Sequence, residues 1–174
     1  MNESLRSIVT GTAALWVGAA VALLLTMLRR PVGGDLAGRE QTARLFLLGL
    51  AVQCLHFLEE FITHFENRFP ALLGLPPWPE SFFVGFNLIW LSVWILSAID
   101  LERGYRFALF PAWFFAIAAI VNGIAHPVLA VIAHGYFPGL VTSPVLGILG
   151  VLLWLRLLRL TRNRNIELVT DGAR

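Results

Sequence analysis

Hydrophobic and polar positions alternate along this chain in long blocks. Apolar stretches at about 7–28, 43–65, 81–101, 107–133 and 139–160 are separated by short segments that hold most of the charges, prolines and glycines. A helix needs roughly 20 residues to cross a hydrocarbon core of about 30 Å. Each block is of that order, so the pattern predicts an all-α polytopic membrane bundle of five transmembrane helices, with residues 1–174 forming a single domain. The first block is longer than a secretory signal core and ends in Arg29-Arg30-Pro31 instead of a small-residue cleavage site, which predicts a retained helix.

Polar residues interrupt the second block in a pattern of their own. Gln53, His56, Glu59, Glu60, Thr63 and His64 fall on one arc of roughly 140° at 100° per residue, while Leu55, Phe57, Leu58, Phe61 and Ile62 fill the other side. An ionised side chain at mid-span opposes insertion by roughly 2.5–3.5 kcal/mol, so a face with two glutamates cannot look at lipid. It needs partners on neighbouring helices or protonated carboxyls. Helical spacing lets His56 reach Glu59 and Glu60, and lets Glu60 reach His64.

Other blocks offer those partners. The fourth carries Asn122 and His126 one turn apart, with Ala119, Gly123, Ala130 and Ala133 nearby to allow close helix approach, and Pro127 to weaken the helix beside them. The third carries Asn87 with Trp90 and Trp94 on a similar face. Counting 1.5 Å per residue puts His56 and His126 each about 12 Å below the outer helix end, which predicts convergence in the outer half of the bilayer. Beyond them, Phe137-Pro138-Gly139-Leu140 reads as a type II turn, with His134 and Tyr136 at the mouth of the site. His56/His64 and His126/His134 share a spacing of eight, a faint echo between two helices running the same way.

Charge fixes the expected direction. All 13 basic residues are Arg. Eleven of them (29, 30, 39, 44, 103, 106, 156, 159, 162, 164 and 174) fall on one side of the five spans, against Arg6 and Arg68 on the other. The positive-inside rule then predicts an outside N-terminus and a cytoplasmic C-terminus in the inner membrane. The Arg-rich tail reads as a juxtamembrane anchor and not as a nucleic-acid patch, because no exposed aromatic residues accompany it. Segment 66–80, rich in proline, reads as an irregular outer connector or lid with Trp78 in the interfacial belt, and 33–42 as a short cytoplasmic linker. Composition agrees: 57 % hydrophobic and 14 % charged residues, with a mean hydropathy of +0.75, are values for a chain solvated by lipid. The single Cys54 lies off the polar face, and no G-x-S-x-G, H-E-x-x-H, nucleotide loop or c-type haem site is present.

These residues resemble the HXXEE-domain family of bacterial integral membrane proteins. Its motif is matched by His56-Phe57-Leu58-Glu59-Glu60, a second motif, Asn-x3-His, by Asn122-Gly123-Ile124-Ala125-His126, and a third, Tyr-x-Pro-Gly, by Tyr136-Phe137-Pro138-Gly139. Together they cover roughly residues 50–140. The resemblance implies a membrane protein with a His/Glu active or binding site, and it brings no activity with it.

Four functions compete for such a site. A metal-dependent membrane enzyme would use His56, Glu60 and His126, with His64 as a further candidate, to hold zinc or iron. Glu59 would act as base or support, Asn122 would orient a ligand or a lipophilic, membrane-delivered substrate, and Tyr136 would stand at the entrance. The i,i+3 spacing of His and Glu resembles di-iron bundles, although the order is reversed and a second pair is missing. A metal-free acid/base enzyme on a lipid-soluble substrate would use the paired carboxyls, with Trp90 and Trp94 flanking an apolar or cationic intermediate. A small proton or metal transporter needs a continuous polar path, but the inner half offers little beyond Ser97 and Asp100. Simple interhelical bonding is worth only about 0.6–2 kcal/mol per pair, and two buried glutamates are a costly route to it.

Overall fold

In a computed structural model, residues 2–31 and 36–163 are described. The expected helices are present, with three differences. The first block forms two helices, α1 (Glu3–Gly11) and α2 (Ala13–Leu28), meeting at a 48° bend. At the break, the Thr12 hydroxyl donates to the Ile8 carbonyl and accepts from the Trp16 indole, so a side chain enters the backbone ladder. The second block begins early and ends early, as α3 (Leu36–Ile62). The proline-rich connector contains a helix, α4 (Phe65–Leu72), in spite of Pro70. Pro70 lacks the N–H that would bond Glu66 O, and the Trp78 N–H supplies that bond from outside the helix at 2.9 Å.

The remaining blocks are α5 (Glu80–Glu102), α6 (Leu109–Ile132, after a 3₁₀ turn at Arg106–Ala108) and α7 (Ser143–Leu160). Among the described residues four helices are long and apolar enough to cross a membrane, or five spans result if the bent α1–α2 pair counts as one. A two-stranded antiparallel ribbon unforeseen in the sequence, β1 (Arg29–Pro31) with β2 (Thr161–Asn163), ties the ends of α2 and α7 together. Arg29 reinforces it by donating to Thr161 and to the Leu158 carbonyl. Residues 32–35, which include the start of the expected linker, and 164–174, with Arg164 and Arg174 of the basic tail, lie outside the described residues.

Helices α3, α5, α6 and α7 close a ring in which α6 packs on α7 and α5, and α3 on α5 and α7; α2 lies against α6 from outside. Small residues bring α6 and α7 together: a Cβ on Gly123 would stand 2.6 Å from the Gly147 Cα, and one on Gly150 would stand 2.8 Å from the Ala119 Cβ. Below the polar residues the ring is filled by Phe46, Leu50, Trp113, Phe115, Leu153 and Leu157, all buried. The outward faces carry Leu55, Ile62, Ile89, Leu96, Val131 and Ile148, each more than half exposed. That girdle is too large and continuous for an ordinary water-facing surface.

At one end of the bundle the segment after α3 folds inward. Trp78 is buried and not interfacial, with its indole N–H donating to Ser7 Oγ at 3.1 Å. Ser7 in turn donates to Pro76 O at 2.7 Å. Gly11 makes room for this indole, since a Cβ there would come within 2.2 Å of it.

Candidate metal centre

The wheel of α3 holds in space. Gln53, His56 and Glu60 are buried, while Leu55, Leu58 and Ile62 are exposed. His126 of α6, 2 % exposed, meets His56, 0 % exposed, edge to face with ring centroids 4.7 Å apart. Glu60 lies between them, its Oε1 3.5 Å from His56 Nε2 and 3.4 Å from His126 Nε2. One ligand atom from each of the three residues falls within a 4.8 Å cluster, so one cation would fit among them.

The turn between α6 and α7 aims both imidazoles. Its Leu140 N–H donates to Phe137 O at 3.1 Å and Gly139 has φ +82°, as the expected type II turn requires. Gly139 is also demanded by contact: a Cβ there would stand 2.5 Å from the His126 ring and 2.7 Å from the His56 ring. Directly before it, the Pro138 carbonyl lies 2.5 Å from His126 Nδ1. A carbonyl only accepts, so Nδ1 carries the proton and Nε2 presents its lone pair to the cluster.

His56 is held in the same way by a longer chain. Its Nδ1 lies 2.8 Å from Thr142 Oγ1, whose own proton goes to Glu59 Oε2 at 2.6 Å. With that hydroxyl proton committed, Thr142 accepts from His56 Nδ1–H, and His56 Nε2 is also an open donor of electrons. A metal-binding histidine with its second nitrogen tied to an acceptor, itself tied to a carboxylate, is a familiar arrangement around metal ions.

Glu59 therefore has a different task from its neighbour. Its oxygens accept from Tyr136 OH, Val141 N, Thr142 N and Thr142 Oγ1, between 2.6 and 2.9 Å. Four donors fill the acceptor positions of a carboxylate, which leaves Glu59 as the anchor of the α6–α7 turn and not as a base facing the cluster. Tyr136 reaches Glu59 and not the three ligand atoms; burial, and then this hydrogen bond, raise its hydroxyl above the usual tyrosine range.

His64 lies apart from the cluster. Helix α3 ends at Ile62, and His64 takes a left-handed conformation (φ 59°) with its exposed ring 3.3 Å from Glu66. His134 ends α6 in the same conformation (φ 52°), so the spacing echo between the two helices marks two similar helix ends.

Asn122 borders a cavity of ≈ 170 Å³ between α2, α5 and α6, whose wall includes Glu60 and His126 and also Gln53, Asn87, Trp90 and Trp94. The polar residues of three helices thus meet, as their depths predicted. Phe65 and Phe137 close the space beside His126, with ring centroids 5.6 and 6.2 Å from it. Sequence reasoning missed Thr142, Phe65 and Phe137. The place of Thr142 just past the Pro-Gly turn, at the start of α7, is the one signal that pointed to it.

No curated protein and no solved structure is significantly similar to this chain. A family described as "Protein of unknown function with HXXEE motif" matches residues 47–154, a stretch that contains every residue of the cluster and of the turn that aims it. With its motif histidine and second motif glutamate at the centre of the buried cluster, and more than half of its length matched, the chain belongs to the HXXEE family.

Proposed function

We propose that this chain is a multi-pass protein of the bacterial inner membrane and a metal-dependent enzyme acting on a lipophilic substrate. The apolar girdle and the four candidate spans, five with the bent α1–α2 pair, support the membrane placement. The side is set by charge: Arg29, Arg103, Arg106, Arg156 and Arg159 sit at the bundle end opposite the cluster, so that end faces the cytoplasm and the cluster lies in the outer half.

One observation carries the metal reading. Two buried imidazoles, each with its proton committed at Nδ1, direct Nε2 lone pairs toward one buried carboxylate. Three electron donors gathered without a proton among them repel one another unless a cation joins them. His56, Glu60 and His126 would be the protein ligands, and the open side of the cluster faces the cavity. Two histidines and one carboxylate suit zinc or non-haem iron. A metal held there would activate water, or dioxygen if it is iron. His64 is not among the proposed ligands, given its position.

A second reading rests on the same distances: a proton on Glu60, shared with the two Nε2 atoms, gives metal-free acid/base chemistry. Transport is disfavoured by the packed Trp113, Phe115, Leu153 and Leu157 between the cluster and the far end. Metal analysis of detergent-purified protein separates the readings. We expect one zinc or iron per chain, lost in His56→Ala, Glu60→Ala and His126→Ala and kept in His64→Ala. Folded wild-type protein that stays metal-free after incubation with Zn²⁺ and with Fe²⁺ would refute the metal centre.

A further inference from the structure

The cavity beside the cluster defines what it accepts. Its wall is largely aromatic, with Phe83, Phe86, Trp90, Trp94 and Phe114 among the lining side chains. Its volume of ≈ 170 Å³ is close to that of a cavity of about 150 Å³ that takes up one benzene ring. The polar groups on the wall are few and specific. Gln53 is 6 % exposed, yet among the described residues its amide makes no hydrogen bond. Asn122 likewise has none, and Asn87 uses only its NH₂, donating to Phe83 O at 3.0 Å. Gln53 is buried and Asn122 half-buried, and both amides face the same enclosed space without a partner, so together they mark the place of a ligand's heteroatom.

Charge narrows the class. Among the described lining residues there is no Arg, and the chain has no Lys, while Glu60 adds an acceptor. In the metal-free chamber a phosphate or carboxylate would enter beside Glu60 without a counter-charge, which excludes acidic lipid headgroups from that form. The way in is lateral. Ala14 of α2 lines the cavity and is exposed, whereas Trp78 and Phe83 on the wall toward α4 are buried.

We infer that the chamber binds an uncharged, ring-bearing lipophile through one hydroxyl or carbonyl, which Gln53 and Asn122 hold beside Glu60 and His126, with any tail leaving past Ala14 into the bilayer. The inference rests on the proposed enzyme for its use, but the binding itself does not need the metal. The ring fills the aromatic chamber, and the heteroatom satisfies amides that otherwise stay unpaired. Gln53 projects from α3 one turn before His56, so the held atom lies next to the cluster.

The full chain, stripped of metal with EDTA and held in nanodiscs, is titrated with radiolabelled 4-octylphenol, octylbenzene and 4-octylphenyl phosphate, with partition into empty nanodiscs subtracted. We expect 4-octylphenol to saturate at one per chain, octylbenzene to bind about tenfold more weakly for want of the hydroxyl, and the phosphate not to saturate. Gln53→Leu and Asn122→Leu are each expected to weaken 4-octylphenol about fivefold and to leave octylbenzene unchanged. Equal binding of octylphenol and octylbenzene, or tighter binding of the phosphate, would overturn the inference, and both are read on wild-type protein whether or not the variants fold. Metal uptake by parallel samples incubated with Zn²⁺ and with Fe²⁺ keeps the two proposals apart. Metal taken up without saturable octylphenol binding sinks the chamber alone, and octylphenol bound by protein that takes up neither metal sinks the metal centre alone.

Discussion

Replacing Thr142 with valine keeps the shape of the side chain and removes one oxygen. In the native structure that oxygen accepts from His56 Nδ1–H and donates to Glu59. His56 is 0 % exposed, so water cannot replace the lost acceptor. Leaving the Nδ1 proton in place strands a buried donor, at about 1–3 kcal/mol. The imidazole has a way out: its proton moves to Nε2, where Glu60 Oε1 waits 3.5 Å away. That relief consumes the lone pair that points into the cluster. Either way the variant binds a metal less well, and losses of 10–100-fold follow removal of such supporting groups elsewhere. Thr142→Ser keeps the oxygen and is expected to bind within a few-fold of wild type. Competition titration with a chromophoric chelator gives the affinities, and ¹⁵N shifts of the histidine rings give the position of the proton. A valine variant with unchanged affinity and Nδ1 still protonated would refute the relay from Glu59 through Thr142.

Three further outcomes test other parts of the arrangement. Gly139→Ala combines a left-handed backbone (φ +82°) with a Cβ only 2.5 Å from His126, so it is expected to lose metal binding and at least 1–2 kcal/mol of stability, read by SDS-induced unfolding. His64→Ala is expected to retain full metal content by elemental analysis, since His64 lies at a helix end beside Glu66. Tyr136, raised by burial and then by Glu59, keeps its proton above the usual value of about 10. A raised folded-state value means that its stabilising contribution is complete below pH 10 and falls as pH rises through that value. The stability difference between wild type and Tyr136→Phe should therefore be flat from pH 7 to about 9.5 and shrink above pH 10. A difference that grows there contradicts the assignment.

The bundle was legible because a span of lipid-facing helix leaves a continuous apolar block, and α3, α5, α6 and α7 each fill one. What escaped depends on contacts between distant residues. Pro70 reads as a helix breaker until Trp78, eight positions later, supplies the missing N–H. Trp78 reads as interfacial until Ser7 and Gly11 receive it. At the site, His56, Glu60 and His126 were legible because their faces and depths both agreed. His64 was grouped with them by a wheel that assumes unbroken helix, and the wheel has no meaning beyond Ile62, where α3 stops. Thr142 was invisible for a different reason: a threonine beside a helix start reads as an ordinary cap, and only the neighbouring Glu59 and His56 turn its hydroxyl into a link.

The two motif glutamates show how one helix separates two roles for one residue type. Adjacent positions differ by about 100° around α3. That angle turns Glu59 toward the α6–α7 turn, where four donors meet it, and turns Glu60 into the bundle, where two bare nitrogens meet it. A carboxylate surrounded by donors has few lone pairs left for a metal. One facing only acceptors needs a cation of some kind, metal or proton, to exist there at all. Moving either glutamate by one residue would leave the donors of the turn unmatched and the histidines without their third partner. The adjacency in His-x-x-Glu-Glu is thus a geometric requirement: the anchored member fixes the turn that aims His126 and Thr142, and the unanchored member completes the centre that the turn creates.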